Sequence, residues 1–158
     1  MCRTLRDRSG LHPLFDKILI LCTANICRSP LAEVAMRKAL KDSDRHAQTR
    51  SAGINALVGH PADPDAQTIA SRHGMDLSDH RAVQVDRDLL HWANLILVME
   101  DAHRAELRSR DPDSSGKVLL LGHWVQSQIP DPYLQGLDMF EQTMTLIQRS
   151  VACWIERI

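Results

Sequence analysis

"KILILCTANICRSPLAEVAMRKAL", residues 17–40, decides the fold. Lys17 to Cys22 is a short apolar run, rich in isoleucine and leucine, with no polar alternation. That pattern suits a strand buried on both faces of a parallel sheet. Pro30 stands where a helix can begin, and Leu31, Val34 and Ala35 then recur at helical spacing. The unit reads strand, tight loop, helix.

Outward from it the alternation continues. "TRSAG" (49–53) ends a second strand, and "PDAQTIASRHG" (64–74) reads as a helix with Pro64 near its start and Gly74 as its stop. "ANLILVM" (93–99) is a further apolar run, "EDAHRAELRSR" (100–110) a polar helix and "KVLLLG" (117–122) a fourth strand. Phe140, Met144, Ile147, Val151, Trp154 and Ile158 recur three or four apart, which predicts a long tail helix. "VDRDLLHW" (85–92) reads as a solvated surface with one apolar side. The expected architecture is α/β: a Rossmann-like three-layer sandwich with a central four-stranded parallel sheet and helices on both faces. Residues 1–15 are expected to form a flexible arm and 16–158 a single domain. The loops around 53–63 and 122–136 are long enough to carry function, and open α/β sheets place their sites at strand C-termini.

Composition narrows the function classes. The 158 residues are 44% hydrophobic, enough for a packed core rather than a disordered chain. Lys and Arg total 19 against 20 acids, and aromatics are 4%, which gives no case for a nucleic-acid partner. No apolar run is long enough for a membrane span, and "MCRTLRDRSGLHP" (1–13) lacks the apolar core of a signal peptide. The four cysteines (Cys2, Cys22, Cys27 and Cys153) do not form a disulfide framework, so a reducing cytoplasm is the expected location. Cys22 and Cys27 have no second pair to complete a metal site, and no metal or cofactor is expected. His12, His46, His60, His73, His91, His103 and His123 show no ligand spacing and are read as without chemical role.

The chemistry is expected in the loop itself. A strand end followed by a helix N-terminus can turn backbone N–H groups inward around a tetrahedral anion. Arg28 adds a planar fork suited to two phosphate oxygens, and the same field favours a thiolate at Cys22. Phosphoryl transfer to Cys22 and then to water is the implied reaction. Ser29 is placed to support the sulfur or to cap the helix, and Asn25 tolerates a left-handed backbone. "IPDPY" (129–133) holds Asp131 between two prolines, a stiff position for a general acid; "RDPDSSG" (110–116) contains a competing Asp-Pro.

"CTANICRSP" (22–30), the distal "DPY" (131–133), "SAGINALVGHPADPDA" (51–66) and "HGMDLSDHRA" (73–82) together resemble the low-molecular-weight protein tyrosine phosphatase family, in its bacterial branch. The resemblance runs from about residue 16 to the end. It implies hydrolysis of phosphotyrosine in proteins through a phosphocysteine intermediate, in exopolysaccharide or capsule production opposite a bacterial tyrosine autokinase. It implies Cys22 as nucleophile, Arg28 as phosphate clamp and Asp131 as general acid. Cys22, Thr23, Ala24, Asn25, Ile26, Cys27 and Arg28 would form the phosphate loop, with Asn25, Ser29, Ser51 and His80 as its supporting network. Tyr133 would wall the mouth for an aromatic ring, with Leu57 or Val58 opposite; Trp124 divides between the rim and core packing. Cys27 would form a reversible disulfide with Cys22 under oxidation, or serve as a small core residue. The expected state is a monomer or weak dimer without membrane insertion.

Three positions depart from the family pattern. Ala24 replaces a glycine, Leu134 an aromatic residue and Val83 an arginine. Two rival functions remain. Arsenate reductase shares the fold but needs further cysteines mid-chain, and none lies between Cys27 and Cys153. A non-catalytic phosphate-binding regulatory domain would need neither nucleophile nor acid.

Overall fold

A computed structural model of the chain describes residues 14–158. The expected arm at 1–15 lies outside them up to residue 13; Leu14 is exposed, while Phe15 already packs against the core.

Four strands form one parallel sheet: β1 (Lys17–Cys22), β2 (Gln48–Gly53), β3 (Leu95–Val98) and β4 (Val118–Leu120), in the order β2-β1-β3-β4. Five helices connect and cover them: α1 (Arg28–Asp42), α2 (Pro64–Arg72), α3 (Arg87–Trp92), α4 (Asp101–Arg110) and α5 (Leu137–Ile155). The unbroken apolar character of β1 has a direct cause. Ile18, Ile20 and Cys22 face a core built with Leu31, Met36, Ile69, Phe140, Met144, Ile147 and Trp154 of α1, α2 and α5. Leu19 and Leu21 face a second core with Ile96, Val98, Leu90 of α3 and Leu107 of α4. Both sheet faces are dry, so neither set of alternate residues can be polar.

Local chemistry sets several boundaries. Asp63 caps α2 by accepting the Asp65 N–H at 2.8 Å, Pro64 occupies the first turn, and Gly74 takes φ +74° just beyond the end. The segment 85–92 has the one apolar side expected of it, with Val85 and Leu90 buried in the second core, and it also forms a short helix. Asp86 accepts the Leu89 N–H at 2.8 Å and starts the short α3, with Leu90 buried. Helix α1 begins at Arg28, ahead of Pro30, which sits in the first turn where its missing N–H costs nothing.

Cys22 is paired in register with Gly53, and β1 lies between β2 and β3. The chain therefore diverges at the C-terminal ends of β1 and β3, the place where open α/β sheets leave a crevice. Gly53 is required there: a Cβ would lie 2.6 Å from the Thr23 carbonyl oxygen.

Candidate active site

The loop from Cys22 to Arg28 is shaped by where its carbonyls go. Ile54 N–H donates to Cys22 O at 2.9 Å, Asn55 N–H to Thr23 O at 2.9 Å and Leu57 N–H to Ala24 O at 3.1 Å. His80 Nε2–H donates to Asn25 O at 2.7 Å, Asp63 N–H to Ile26 O at 2.9 Å and Leu31 N–H to Cys27 O at 3.3 Å. Every carbonyl from Cys22 to Cys27 is thus tied to the surrounding protein. Among the described residues, no acceptor takes the N–H groups of residues 23 to 27. A loop with its carbonyls bound outward and its N–H groups unspent is an anion-binding concavity. Asn25 makes the turn with φ 60°, while Ala24 stays out of the positive-φ region, so its methyl group imposes no left-handed strain.

The sulfur is held by a chain whose donors can be assigned. Asn25 Nδ2 donates to Ser29 Oγ at 2.8 Å and to Ser51 Oγ at 3.0 Å. Ser51 Oγ–H donates to Glu33 Oε2 at 2.5 Å, and Arg37 pairs with the other oxygen of Glu33. The Ser29 oxygen is therefore an acceptor from Asn25, which leaves its O–H to point at Cys22 Sγ, 2.9 Å away. Ser29 makes no cap for α1; the N-cap position is Cys27, without a side-chain bond. Asn25 Oδ1 accepts the N–H of Val83 at 2.9 Å, so the anchor at the position where the resemblance expects arginine is a main-chain one. Gly53 pairs with this segment on both sides, through Val83 O and the Val85 N–H, and so sets it beside the loop.

Arg28 is buried, its side chain 3% exposed. Its Nη1 pairs with Glu100 Oε1 and donates to Ile129 O at 2.9 Å, and its Nη2 lies 3.7 Å from Asp131 Oδ2. A buried guanidinium needs such partners, since an unpaired charge in the interior is strongly destabilising. Asp131 is half exposed and its Oδ1 accepts the Tyr133 N–H at 3.1 Å, which fixes the carboxyl on its stiff loop. Cys27 is a different kind of thiol from Cys22. Burial, together with the nearby Asp63, pushes its pKa far above the ordinary range, so it stays protonated.

Three side chains here had no signal in the site pattern: Glu33, Glu100 and His103. Glu100 lies two residues beyond the end of β3, near the strand-end level at which Cys22 closes β1, so strand-end position is the cue that points to it. His103, read from sequence as without chemical role, is buried beside the loop and its Nε2 lies 3.0 Å from Thr23 Oγ1. Burial, then the Arg28 charge, hold its pKa below the ordinary histidine value.

Around the mouth, Leu57 joins the loop through its N–H to Ala24, and Leu57, Val58, Tyr133 and Leu134 are exposed. Trp124 is also exposed and packs on one side. Its ring meets Trp154 edge-on at 5.7 Å and lies under Arg157 at 4.0 Å, at the end of α5. Among the described residues, no group of His, Cys, Asp and Glu is arranged to hold a metal ion, and no helix is long and apolar enough to cross a membrane.

The sequence matches the family described as "Low molecular weight phosphotyrosine protein phosphatase" over residues 17–158. It is 45% identical, over 92% of its length, to a Ralstonia nicotianae protein named "Probable low molecular weight protein-tyrosine-phosphatase EpsP", covering 97% of that protein. The fold is similar to that of the tyrosine phosphatase Wzb from Escherichia coli K30 in complex with sulphate. That match has a TM-score of 0.84 and 38% identity and covers 90% of this chain and 97% of that one. Wzb of Vibrio vulnificus, solved with benzylphosphonate, superposes with a TM-score of 0.85 at 37% identity, covering 91% and 99%. With a match that runs from the first residue of β1 to the end of the chain, the protein belongs to the low molecular weight phosphotyrosine protein phosphatase family.

Proposed function

We propose that this protein hydrolyses phosphotyrosine in proteins through a phosphocysteine intermediate, with residues 16–158 acting as one phosphatase domain in the cytoplasm. The single observation that carries the reading is the tying-out of every carbonyl from Cys22 to Cys27 around a sulfur, with the buried Arg28 guanidinium at the loop's end.

The phosphoryl oxygens lie in the loop, where the N–H groups and Arg28 stabilise the charge spread over the transferring group. The Cys22 thiolate attacks phosphorus, and the bond from phosphorus to the tyrosine oxygen breaks. Asp131 gives its proton to that oxygen as it leaves, which a phenolic leaving group needs. Water then attacks the phosphocysteine with Asp131 accepting its proton. The phosphorus–sulfur bond breaks, and the Ser29 hydroxyl receives the departing sulfur with a hydrogen bond. Asn25, Ser51 and His80 hold the loop in shape throughout. Tyr133, Leu57 and Trp124 are the rim on which a substrate ring would rest; the Trp124 ring also packs edge-on against Trp154 of α5 and stays 42% exposed. The buried, protonated Cys27 is the partner for a disulfide once a peroxide has oxidised Cys22 to a sulfenic acid: the Cys27 sulfur attacks the Cys22 sulfur, the S–O bond breaks, and the Cys27 proton leaves with the hydroxide as water. The substrate in this reading is a phosphorylated bacterial tyrosine autokinase, as the resemblance of the sequence to the bacterial branch implies.

The test compares phosphate release from a phosphotyrosine peptide, a phosphoserine peptide and a small aryl phosphate, with thiol-coupled arsenate reduction run alongside. Turnover of the aryl esters by the wild type and none by Cys22→Ser, which still binds phosphate, is the expected result. Activity surviving in Cys22→Ser, or arsenate reduction in place of hydrolysis, overturns the reading.

A further inference from the structure

His103 sits between two parts of the site that the mechanism treats separately. Its Nδ1 lies 3.2 Å from the backbone nitrogen of Glu100, and its Nε2 lies 3.0 Å from Thr23 Oγ1. A backbone N–H can only donate, so Nδ1 carries the lone pair and Nε2 the proton. The ring therefore donates to Thr23, the residue next to Cys22, while it accepts from Glu100, whose carboxylate holds Arg28. One neutral imidazole spans the segment bearing the nucleophile and the segment bearing the partner of the guanidinium.

We propose that His103 is a positioning residue of this active site, and that its Nε2-protonated neutral form keeps the nucleophile loop and the Glu100–Arg28 pair in register. The inference rests on the phosphatase reading. Protonation of Nδ1 would set an N–H against the Glu100 N–H and break one of the two links. It would also place a second cation near Arg28. The charged groups facing the ring are Arg28 from α1, Glu100 at the start of its own helix and Asp131 from the loop after β4. Burial and Arg28 oppose its protonation and outweigh the two carboxylates, so the ring stays neutral at neutral pH.

The bond to Glu100 N–H is also the reach-back of a helix capping box, which gives a purely structural alternative. Glutamine at that helix position makes the same reach-back, so His103→Gln keeps the cap while losing the titrating ring and its bond to Thr23. We expect His103→Gln to unfold at the wild-type temperature yet to lose roughly ten-fold in kcat on an aryl phosphate, with KM changed less. Thr23→Val should lose a similar factor and the double variant no more than either, because both remove one link. The wild-type advantage over His103→Gln should shrink as the pH falls below the ordinary histidine range, where the wild-type ring gains its second proton. Wild-type kcat in His103→Gln, additive losses in the double variant, or an advantage constant across pH would each overturn the proposal. A wild type that does not turn over aryl phosphates would instead defeat the phosphatase reading itself.

Discussion

Two of the three Asp-Pro pairs in this chain, those after α4 and β4, meet opposite fates. Asp111-Pro112 follows α4. There Asp111 is buried, its carboxylate takes the Ser114 hydroxyl, its Oδ2 lies 3.5 Å from His91 Nε2, and its N–H closes the helix on Leu107 O. Asp131-Pro132 follows β4 by a longer loop. There Asp131 is half exposed, uses Oδ1 on the Tyr133 N–H and turns Oδ2 towards Arg28. The first carboxylate is spent on the fold. The second is fixed by one oxygen and keeps the other in contact with solvent and with the guanidinium that would hold substrate. An acid in catalysis needs that spare, reachable oxygen, and local sequence does not show which aspartate has it.

The sharpest way to break this contrast is Asp131→Asn. Asparagine keeps an oxygen for the Tyr133 N–H, so the loop should hold its shape, while kcat falls by about 10²–10⁴ for phenolic esters with poor leaving groups. The loss should shrink for good leaving groups; an equal loss across a leaving-group series would remove Asp131 from the acid's role. Arg28→Lys comes next. A single ammonium cannot replace the fork that meets Glu100, Ile129 O and Asp131 together, and a drop of roughly 10²–10³ in kcat/KM is expected.

At the other aspartate the effect should move from rate to stability. Asp111→Asn weakens the charged acceptor of the buried Ser114 hydroxyl and should destabilise by about 1–3 kcal/mol in urea unfolding, with the kcat of the folded protein unchanged. A rate defect there would erase the distinction between the two pairs. Smallest is Leu134→Gly. Leu134 is exposed and takes φ 58°, a conformation that costs a leucine about 1–2 kcal/mol. The looser unfolded chain of the glycine variant takes back about 0.4–1 kcal/mol. A net gain of about 0–1.6 kcal/mol should appear as at most a small rise in Tm, and turnover of a small aryl phosphate should not change.

Much of the fold could be read along the chain because its signals are local. β1 carries its double burial in an unbroken apolar run, and α2 announces both ends through Asp63, Pro64 and Gly74. The short α3 escaped because its cap and its one buried residue, Leu90, lie inside a run dominated by charge. Within the site, Cys22, Asn25, Arg28 and Ser29 are neighbours in sequence, and their spacing alone suggested an anion loop. Glu33, Glu100 and His103 did not stand out, because what makes each of them matter is a partner on another element. For Trp124 the sequence left rim and packing open; the ring's contacts with Trp154 and Arg157 come from the far end of the chain.

The amino-acid order by itself determined a parallel α/β sheet and a thiol and guanidinium bracketing a tight strand-to-helix loop, because hydrophobic period and turn chemistry act over a few residues. Only the tertiary structure decided which carbonyls are drawn outward, which aspartate faces Arg28 and which tautomer His103 must hold. Each of those depends on hydrogen bonds between segments tens of residues apart, whose geometry exists only once the sheet has brought the ends of β1, β3 and β4 together.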